Sequence, residues 1–161
     1  MATRKTARMQ LHANKQPHIV EHIPRGFPGA KAVPNGTMIV STPQEIDGII
    51  RRIPAGCIVT LNEIRAYLST RYGTDIACPV STAIFINVVA RAAEEMLASG
   101  TSDITPYWRV LKTGGKLNDK YPGGAHTQKT KLETEGFTIV HQKSSYVVQN
   151  YGEYLFELGE T

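Results

Sequence analysis

Three helix-start signals lie close together in the middle of the chain, and they constrain its fold more than any other feature. The segment Thr42-Pro43-Gln44-Glu45 combines an N-cap residue, a proline at the first helical position and a glutamate three residues after the cap. The segment Thr60-Leu61-Asn62-Glu63 repeats the cap and the glutamate, and Pro79 again supplies a proline at a helix start. Such residues satisfy or remove backbone N–H groups that the first helical turn leaves without partners. The sequence therefore predicts three helices in close succession.

The apolar residues after each start support this prediction. Isoleucines recur at helical spacing over 46–53, and Pro54-Ala55-Gly56 ends that helix. The second helix is predicted from residue 61 to about 71, where Tyr72-Gly73 closes it. The third is predicted over 79–100, and it passes through Asn87. A helix, a tight break and a second helix are typical of a helix-turn-helix.

After residue 100 the pattern changes to short extended segments and turns. The predicted elements are an extended segment at 107–111, turns at 113–115 and 121–124, a helix at 125–135, a hairpin from 137–140 and 146–148, and a last helix at 151–158. A short strand at 38–40 precedes the first of the three helices. We therefore predict a mainly α domain with short β elements, of the winged helix-turn-helix type, over residues 37–161.

The first 36 residues are rich in proline and glycine and are predicted to be an irregular, disordered tail. Up to Pro34 the chain has six basic residues and one acidic residue, a net charge of +5. The remainder has twelve basic and thirteen acidic residues, a net charge of −1. Two interpretations stay open: an arm that attracts the phosphates of a nucleic acid, or a solvated tail that only keeps the protein in solution.

Composition excludes several other classes of protein. Apolar residues make up 41% of the 161 residues, with no run long enough to span a membrane and no secretory signal. Cys57 and Cys78 are too few for a disulfide framework, and the five histidines are scattered. We expect no metal and no cofactor, and a monomeric cytoplasmic protein.

Four segments are informative through their order and spacing: Ile53-Pro54-Ala55-Gly56 with Val59-Thr60, Pro106-Tyr107-Trp108-Arg109-Val110, Tyr121 with Gly123-Gly124, and Leu132 with Glu135-Gly136. Together they resemble the DNA-binding domain of the O6-alkylguanine-DNA alkyltransferases, the methylated-DNA–protein-cysteine methyltransferase family. The second resembles the Pro-Cys-His-Arg-Val active-site motif of the family, and the third the loop that walls the lesion pocket. The resemblance covers about half of the chain and implies a helix-turn-helix DNA-binding fold.

The chain departs from the family at the reacting residues. Tyr107 stands at the position of the cysteine that accepts the alkyl group, and Trp108 at that of the histidine that activates it. Alkyl transfer needs a thiolate and a base, and a phenol with a pKa near 10 is a poor acceptor at neutral pH. The resemblance is therefore to the alkyltransferase-like branch, which has lost the cysteine and binds the lesion. It implies a lesion pocket formed by Tyr107, Trp108, Tyr121, Pro122, Gly123, Gly124 and Glu135.

Further departures lie in the helix-turn-helix. Cys78 stands where the family has an arginine finger that enters the base stack, and Leu61 where it has a tyrosine that helps to rotate the nucleotide. Asn87 aligns with a hinge asparagine of the family. The residues predicted to contact DNA are Thr60, Cys78, Ser81, Thr82, Arg109 and Lys112, with Lys116 and Lys120 nearby.

Several of these residues have a second, purely structural interpretation. Trp108 could be a core aromatic residue, and Arg109 could pin the pocket loop instead of binding a phosphate. Ser81 and Thr82 could be ordinary helix-start residues, and Lys112 part of a solvated face. Glu135 could accept a hydrogen bond within the motif, as its family counterpart does, or could be a simple helix-end carboxylate.

Three functions are consistent with these residues. The first is a non-enzymatic protein that binds double-stranded DNA, holds O6-alkylguanine and recruits repair proteins, associated with the nucleoid. The second is a module of the same fold that binds nucleic acid generally, or another protein. The third is an alkyltransferase that uses Cys78, placed before Pro79 at a helix start, as an alternative acceptor.

Overall fold

The computed structural model of the chain describes residues 5–28, 33 and 35–159. Their helices are α1 (Ala7–Leu11), α2 (Pro43–Arg51), α3 (Leu61–Tyr72), α4 (Pro79–Ala98) and α5 (Gly124–Thr134). Their strands are β1 (His18–Val20), β2 (Met38–Val40), β3 (Val59–Thr60), β4 (Ile76–Ala77), β5 (Val110–Leu111), β6 (Ile139–Gln142) and β7 (Ser145–Val148). Short 3-10 helices cover Tyr107–Arg109, Thr113–Gly115 and Tyr151–Tyr154.

The three helices predicted in the middle of the chain form at the predicted starts. The Thr42 hydroxyl oxygen accepts a hydrogen bond from the backbone N–H of Glu45 (3.1 Å), and α2 begins at Pro43. At α3, the Glu63 carboxylate accepts a hydrogen bond from the backbone N–H of Thr60 (2.7 Å) to complete the capping box. α4 starts at Pro79 and continues through Asn87 without a break. Helices α3 and α4 with the turn between them form the predicted helix-turn-helix.

Short strands connect the helices into one framework. β2 pairs antiparallel with β1 and parallel with β4, so the chain that leads into α4 is fixed to the N-terminal part of the protein. β3 pairs in parallel with β5, which joins the start of α3 to the segment after residue 106. β6 and β7 form the predicted hairpin.

The core has two main parts. The larger part lies between α1, α2, α3 and α4 and is built mostly from fully buried aliphatic residues, among them Ile46, Ile50, Ile64, Leu68 and Val89. The smaller part lies between α5 and the hairpin and includes Ile58, Leu111, Leu117, Leu132, Phe137 and Val148. Together they hold the Tyr107–Arg109 turn between α4 and α5.

The prediction of an irregular tail is wrong for α1 and β1, which both lie within residues 1–36. Thr6 caps α1, whose Ala7 and Leu11 lie one helical turn apart and are both buried against α4. The Glu95 carboxylate of α4 accepts hydrogen bonds from the backbone N–H groups of Ala7 (2.8 Å) and Arg8 (3.3 Å). The prolines lie outside α1 and do not interrupt it. Residues 1–4, 29–32 and 34, with basic residues 4 and 31, lie outside the described residues.

Two other elements differ from the prediction. The segment Tyr107–Arg109 is a 3-10 turn before β5 instead of a strand. After the 3-10 turn Tyr151–Tyr154, the chain is extended and does not form the predicted helix. Pairing explains the second difference, because Ile58 donates a hydrogen bond from its N–H to the carbonyl of Tyr154 and accepts one from the N–H of Phe156. Among the described residues, no helix combines the length and apolar character needed to cross a membrane.

Candidate nucleic-acid interface

Tyr107 lies in the core, between α4 and the loop at residues 121–124. Its side chain is fully buried, and its hydroxyl donates a hydrogen bond to a carboxylate oxygen of Glu94 at 2.5 Å. The ring packs edge-to-face on Trp108 and Tyr121, with centroids 5.4 and 5.1 Å apart. Burial, and then the hydrogen bond to Glu94, raise the pKa of the Tyr107 phenol far above its ordinary value of 10.0. The Tyr107 phenol, which the resemblance places at the acceptor position, is therefore a neutral hydrogen-bond donor.

The next two residues of the motif both bind Glu135, at the end of α5. The Trp108 indole N–H donates to one Glu135 oxygen (2.7 Å), and the Arg109 guanidinium donates to the same oxygen from Nη2 (2.8 Å). Arg109 also donates from Nη1 to the carbonyl of Ile53 (2.7 Å), and the N–H of Gly56 donates to Glu135 (3.3 Å). These bonds join three segments that are far apart in sequence.

These bonds favour the structural interpretation of Arg109, and its predicted contact with a phosphate stays a prediction. The side chain is only 14% exposed, and Glu135 and Ile53 engage three of its nitrogens. Trp108 is half-buried, and the ammonium group of Lys131 lies 4.9 Å from the centre of its ring.

The carboxyl group of Glu135 makes the stability of the fold depend on pH. Burial by itself raises its pKa, but the hydrogen bonds from Arg109, Trp108 and Gly56 together lower it below the ordinary value of 4.5. A carboxyl group whose pKa is lower in the folded state stabilises the fold above its unfolded pKa. This stabilisation is lost as the pH falls through the lower folded pKa.

We predict that the difference in the free energy of unfolding between the wild type and Glu135→Gln shrinks as the pH falls from 6 to 3. The glutamine cannot titrate, so only the wild type loses the contribution of this group. Urea unfolding at each pH measures the difference. A difference that stays constant over this range would contradict the proposed role of the ionised carboxylate.

The loop expected to wall the lesion pocket packs closely on the motif. Tyr121 is buried, and its hydroxyl donates to the carbonyl of Val110 at 3.0 Å. Burial raises the pKa of this phenol as well. Gly123 has a φ of 78°, and a Cβ there would lie 2.0 Å from the hydroxyl oxygen of Thr127, so only glycine fits. Pro122 and Gly124 are half-buried and Gly123 is exposed. The structure thus brings the predicted pocket residues together, and the pocket itself stays a prediction.

Three of the residues predicted to contact DNA have side chains that are buried and hydrogen-bonded within the protein. Thr60 is 3% exposed and belongs to the capping box of α3. Cys78 is 5% exposed, and its sulfur accepts a hydrogen bond from the backbone N–H of Ser81 (3.4 Å). Thr82 is 1% exposed and donates to the carbonyl of Cys78 (2.6 Å). Sequence places these residues at helix starts, where local hydrogen bonds engage their polar atoms, and their contact with DNA stays a prediction.

Burial also bears on the alternative in which Cys78 accepts an alkyl group. The sulfur packs with Ile23 and Met38 in a small apolar cluster beneath the N-terminal segment. An alkylated base has no access to a sulfur in this position without a rearrangement of the segment. The other cysteine, Cys57, is half-buried and lies next to the larger core.

The start of α4 presents an apolar surface that the sequence analysis missed. Val80 and Ile84 lie one helical turn apart and are 46% and 53% exposed. Ser81 is half-buried, and its hydroxyl oxygen has no hydrogen-bond partner among the described residues; the same holds for the side-chain oxygen of Asn87. Helical periodicity alone could not reveal this surface, because it does not distinguish aliphatic residues on the two sides of one helix.

Lys112 is the one residue of the predicted DNA-contacting set that has an exposed charged side chain. Lys116 and Lys120 are exposed as well, on the same stretch of chain between β5 and α5. Within the part of the chain that the structure describes, no group of three histidine, cysteine, aspartate or glutamate side chains is placed to hold a metal ion.

Comparison with known proteins bears on the fold. No protein-family model and no curated protein matches the sequence. Two solved structures match: S. pombe Atl1 in complex with damaged DNA containing O6-carboxymethylguanine, and S. pombe ATL in complex with DNA. Each is 22% identical, and each match covers 71% of this chain and 93% of the other. The TM-scores are 0.50 for the first and 0.49 for the second.

The second TM-score is too low to support an argument, and at 22% identity the first match establishes a shared fold and nothing more. That fold is the one implied by the resemblance, so the predicted helix-turn-helix architecture is confirmed. The chain therefore has the fold of an alkyltransferase-like protein.

Proposed function

We propose that this chain is a non-enzymatic alkyltransferase-like protein that binds double-stranded DNA, recognises O6-alkylguanine and recruits repair proteins. The observation that carries the proposal is the buried phenol of Tyr107 at the acceptor position of a motif that keeps its proline, arginine and valine, on the fold of an alkyltransferase-like protein. The structural neighbour with this fold is in complex with damaged DNA, which supports DNA as the ligand.

The chemistry of the motif supports binding without transfer. A raised pKa keeps the Tyr107 phenol protonated, so it is a weak nucleophile. Trp108 offers only an N–H donor, which Glu135 already accepts, and it cannot take a proton from a neighbour. Replacement of both the nucleophile and its base leaves the motif with packing and hydrogen-bonding roles.

Two measurements on the purified protein test this proposal together. A gel-shift titration should show tighter binding to a duplex with one O6-methylguanine than to the same duplex with guanine. Intact-mass measurement after incubation with the methylated duplex should show no added methyl group. Equal affinity for the two duplexes would exclude lesion recognition, and a mass gain of one methyl group would show an alkyltransferase. Cys78→Ser, measured in parallel, would show whether that sulfur is the acceptor.

The exposed apolar start of α4 favours a second candidate, in which the same fold binds nucleic acid generally or binds another protein. The arginine finger of the family is replaced by Cys78, and the exposed residues that follow are Val80 and Ile84. Deletion of the N-terminal segment would not separate the candidates, because Ala7, Leu11 and Ile23 are part of the core. Neutralising the exposed basic residues of the segment with Lys5→Gln, Arg8→Gln, Lys15→Gln and Arg25→Gln leaves those contacts in place. If these variants lose all DNA affinity, the helix-turn-helix surface does not bind DNA.

A further inference from the structure

Two lysines are held opposite each other on the surface next to α3. Lys112 and Lys116 flank the Thr113–Gly115 turn and form an antiparallel bridge, with a hydrogen bond from the N–H of Lys112 to the carbonyl of Lys116 (2.8 Å). Side chains directly opposite each other in such a bridge have Cβ atoms about 5 Å apart, and like charges in this position repel each other. Both lysines are exposed.

The turn between the lysines is fixed, so they cannot easily move apart. Gly115 has a φ of 80°, and a Cβ there would lie 2.5 Å from the ring of Tyr151. Beyond the turn, Lys116 forms a bridge with Val147, and the N–H of Leu117 donates to the carbonyl of Tyr146 (2.9 Å). The fold therefore holds the backbones of the two lysines side by side, and an anion bound between their ammonium groups would offset the repulsion between them.

The lysine pair continues onto the helix-turn-helix. The Thr113 hydroxyl in the turn lies 3.5 Å from the side-chain oxygen of Asn62, at the start of α3. Arg65 follows one helical turn later and donates from Nε to the carbonyl of Ala77 (3.0 Å), immediately before α4. Lys112, Lys116, Asn62 and Arg65 thus form a basic track from the turn to the start of α4.

Nearby carboxylates do not neutralise this basic track. Glu63 accepts hydrogen bonds from Thr60 in the capping box. Asp75 accepts a hydrogen bond from the backbone N–H of Thr37 (2.8 Å). Among the described residues, neither carboxylate forms an ion pair with Lys112, Lys116 or Arg65, and these three cations outnumber the two carboxylates.

We propose that the basic track binds consecutive phosphates of one strand of duplex DNA. The proposal rests on the proposed function, in which DNA is the ligand. In a helix-turn-helix the first helix crosses the DNA backbone, and α3 carries two of the four residues. Phosphate contacts set the position of a protein on DNA without reading its sequence, and lysine is suited to them as a mobile point charge. A phosphate contact at Arg65 would bring the DNA backbone to the start of α4.

The salt dependence of binding tests the proposal. Affinity for a fluorescently labelled duplex is measured by anisotropy between 50 and 300 mM salt for the wild type, Lys112→Ala/Lys116→Ala and Arg65→Gln. The control is Arg51→Ala/Arg71→Ala, which removes two positive charges from the exposed surface of α2 and the far end of α3. Thermal unfolding of each variant verifies that it is folded.

Each lost phosphate contact lowers the slope of log affinity against log salt by about 0.9. We expect the lysine double variant to bind any duplex at least about tenfold more weakly. The magnitude of its negative salt slope should be smaller than that of the wild type by about 1.8. Arg65→Gln should lose about 0.9, and the control should keep the slope of the wild type.

If the wild type binds duplex DNA and the lysine variant keeps the same salt slope, the basic track does not contact phosphates. The proposed function would then still stand. A wild-type protein that binds no duplex would overturn both. If polyglutamate at equal charge concentration displaces the duplex, the basic track binds acidic protein. That result would overturn the proposal that its ligand is DNA.

Discussion

Replacement of Arg109 by methionine is expected to lower the free energy of unfolding by about 3 kcal/mol, because it leaves the Glu135 carboxylate without its main partner. The side chains of this pair are only 14% and 13% exposed, so water cannot fully replace the lost bonds. Methionine keeps most of the volume of the arginine stem, so the measured change reports mainly the lost bonds. Urea unfolding at neutral pH measures it.

A matched surface pair and a double variant separate charge loss from packing. Arg51→Met breaks the pair with Asp47, in which the arginine side chain is 38% exposed, and should change stability by no more than about 1 kcal/mol. Arg109→Met/Glu135→Gln removes both charges and should recover part of the loss, since no buried charge is left unpaired. If Arg109→Met lowers the free energy of unfolding by no more than Arg51→Met does, the Arg109–Glu135 pair does not anchor α5.

The second large effect is expected in the N-terminal segment. Leu11→Ala should lower the free energy of unfolding by about 2–4 kcal/mol, because Leu11 is 4% exposed and packs in the main core. Met9 is on the same short helix and is 57% exposed, so Met9→Ala should change stability by about 0.5 kcal/mol or less. Denaturant unfolding of both variants gives the comparison. Equal, small effects would show that α1 does not dock on α4.

The docking of α1 changes how the basic N-terminal segment should be regarded. Lys5 and Arg8 are exposed on or next to a helix that is fixed to α4. Arg25 is exposed in a turn between Ile23 and Phe27, which belong to the same apolar cluster as Cys78. These charges are held near the domain instead of on a free arm. Any contribution they make to DNA affinity therefore comes from defined positions.

The sequence predicted the local elements because their signals lie within a few residues of each other. The caps at Thr42 and Thr60 and the proline at Pro79 each act on backbone groups of their own first turn. The hairpin and α5 were also predicted, with ends within a few residues of those observed. The prediction of a helix at 151–158 was wrong because the extended chain at Leu155 pairs with Ile58, almost a hundred residues earlier.

In the candidate site, too, some features could be predicted from the sequence and others depend on the fold. The sequence alone was enough for the prediction that Tyr107 and Trp108 stand at the positions of the nucleophile and its base, since this prediction depends only on residue identity within a motif. Only the tertiary structure decided that Arg109 binds Glu135, that Thr60 and Thr82 are buried, and that Lys112 pairs with Lys116 beside α3. Whether a polar side chain is exposed or engaged depends on partners brought near by folding, and neither composition nor periodicity encodes them.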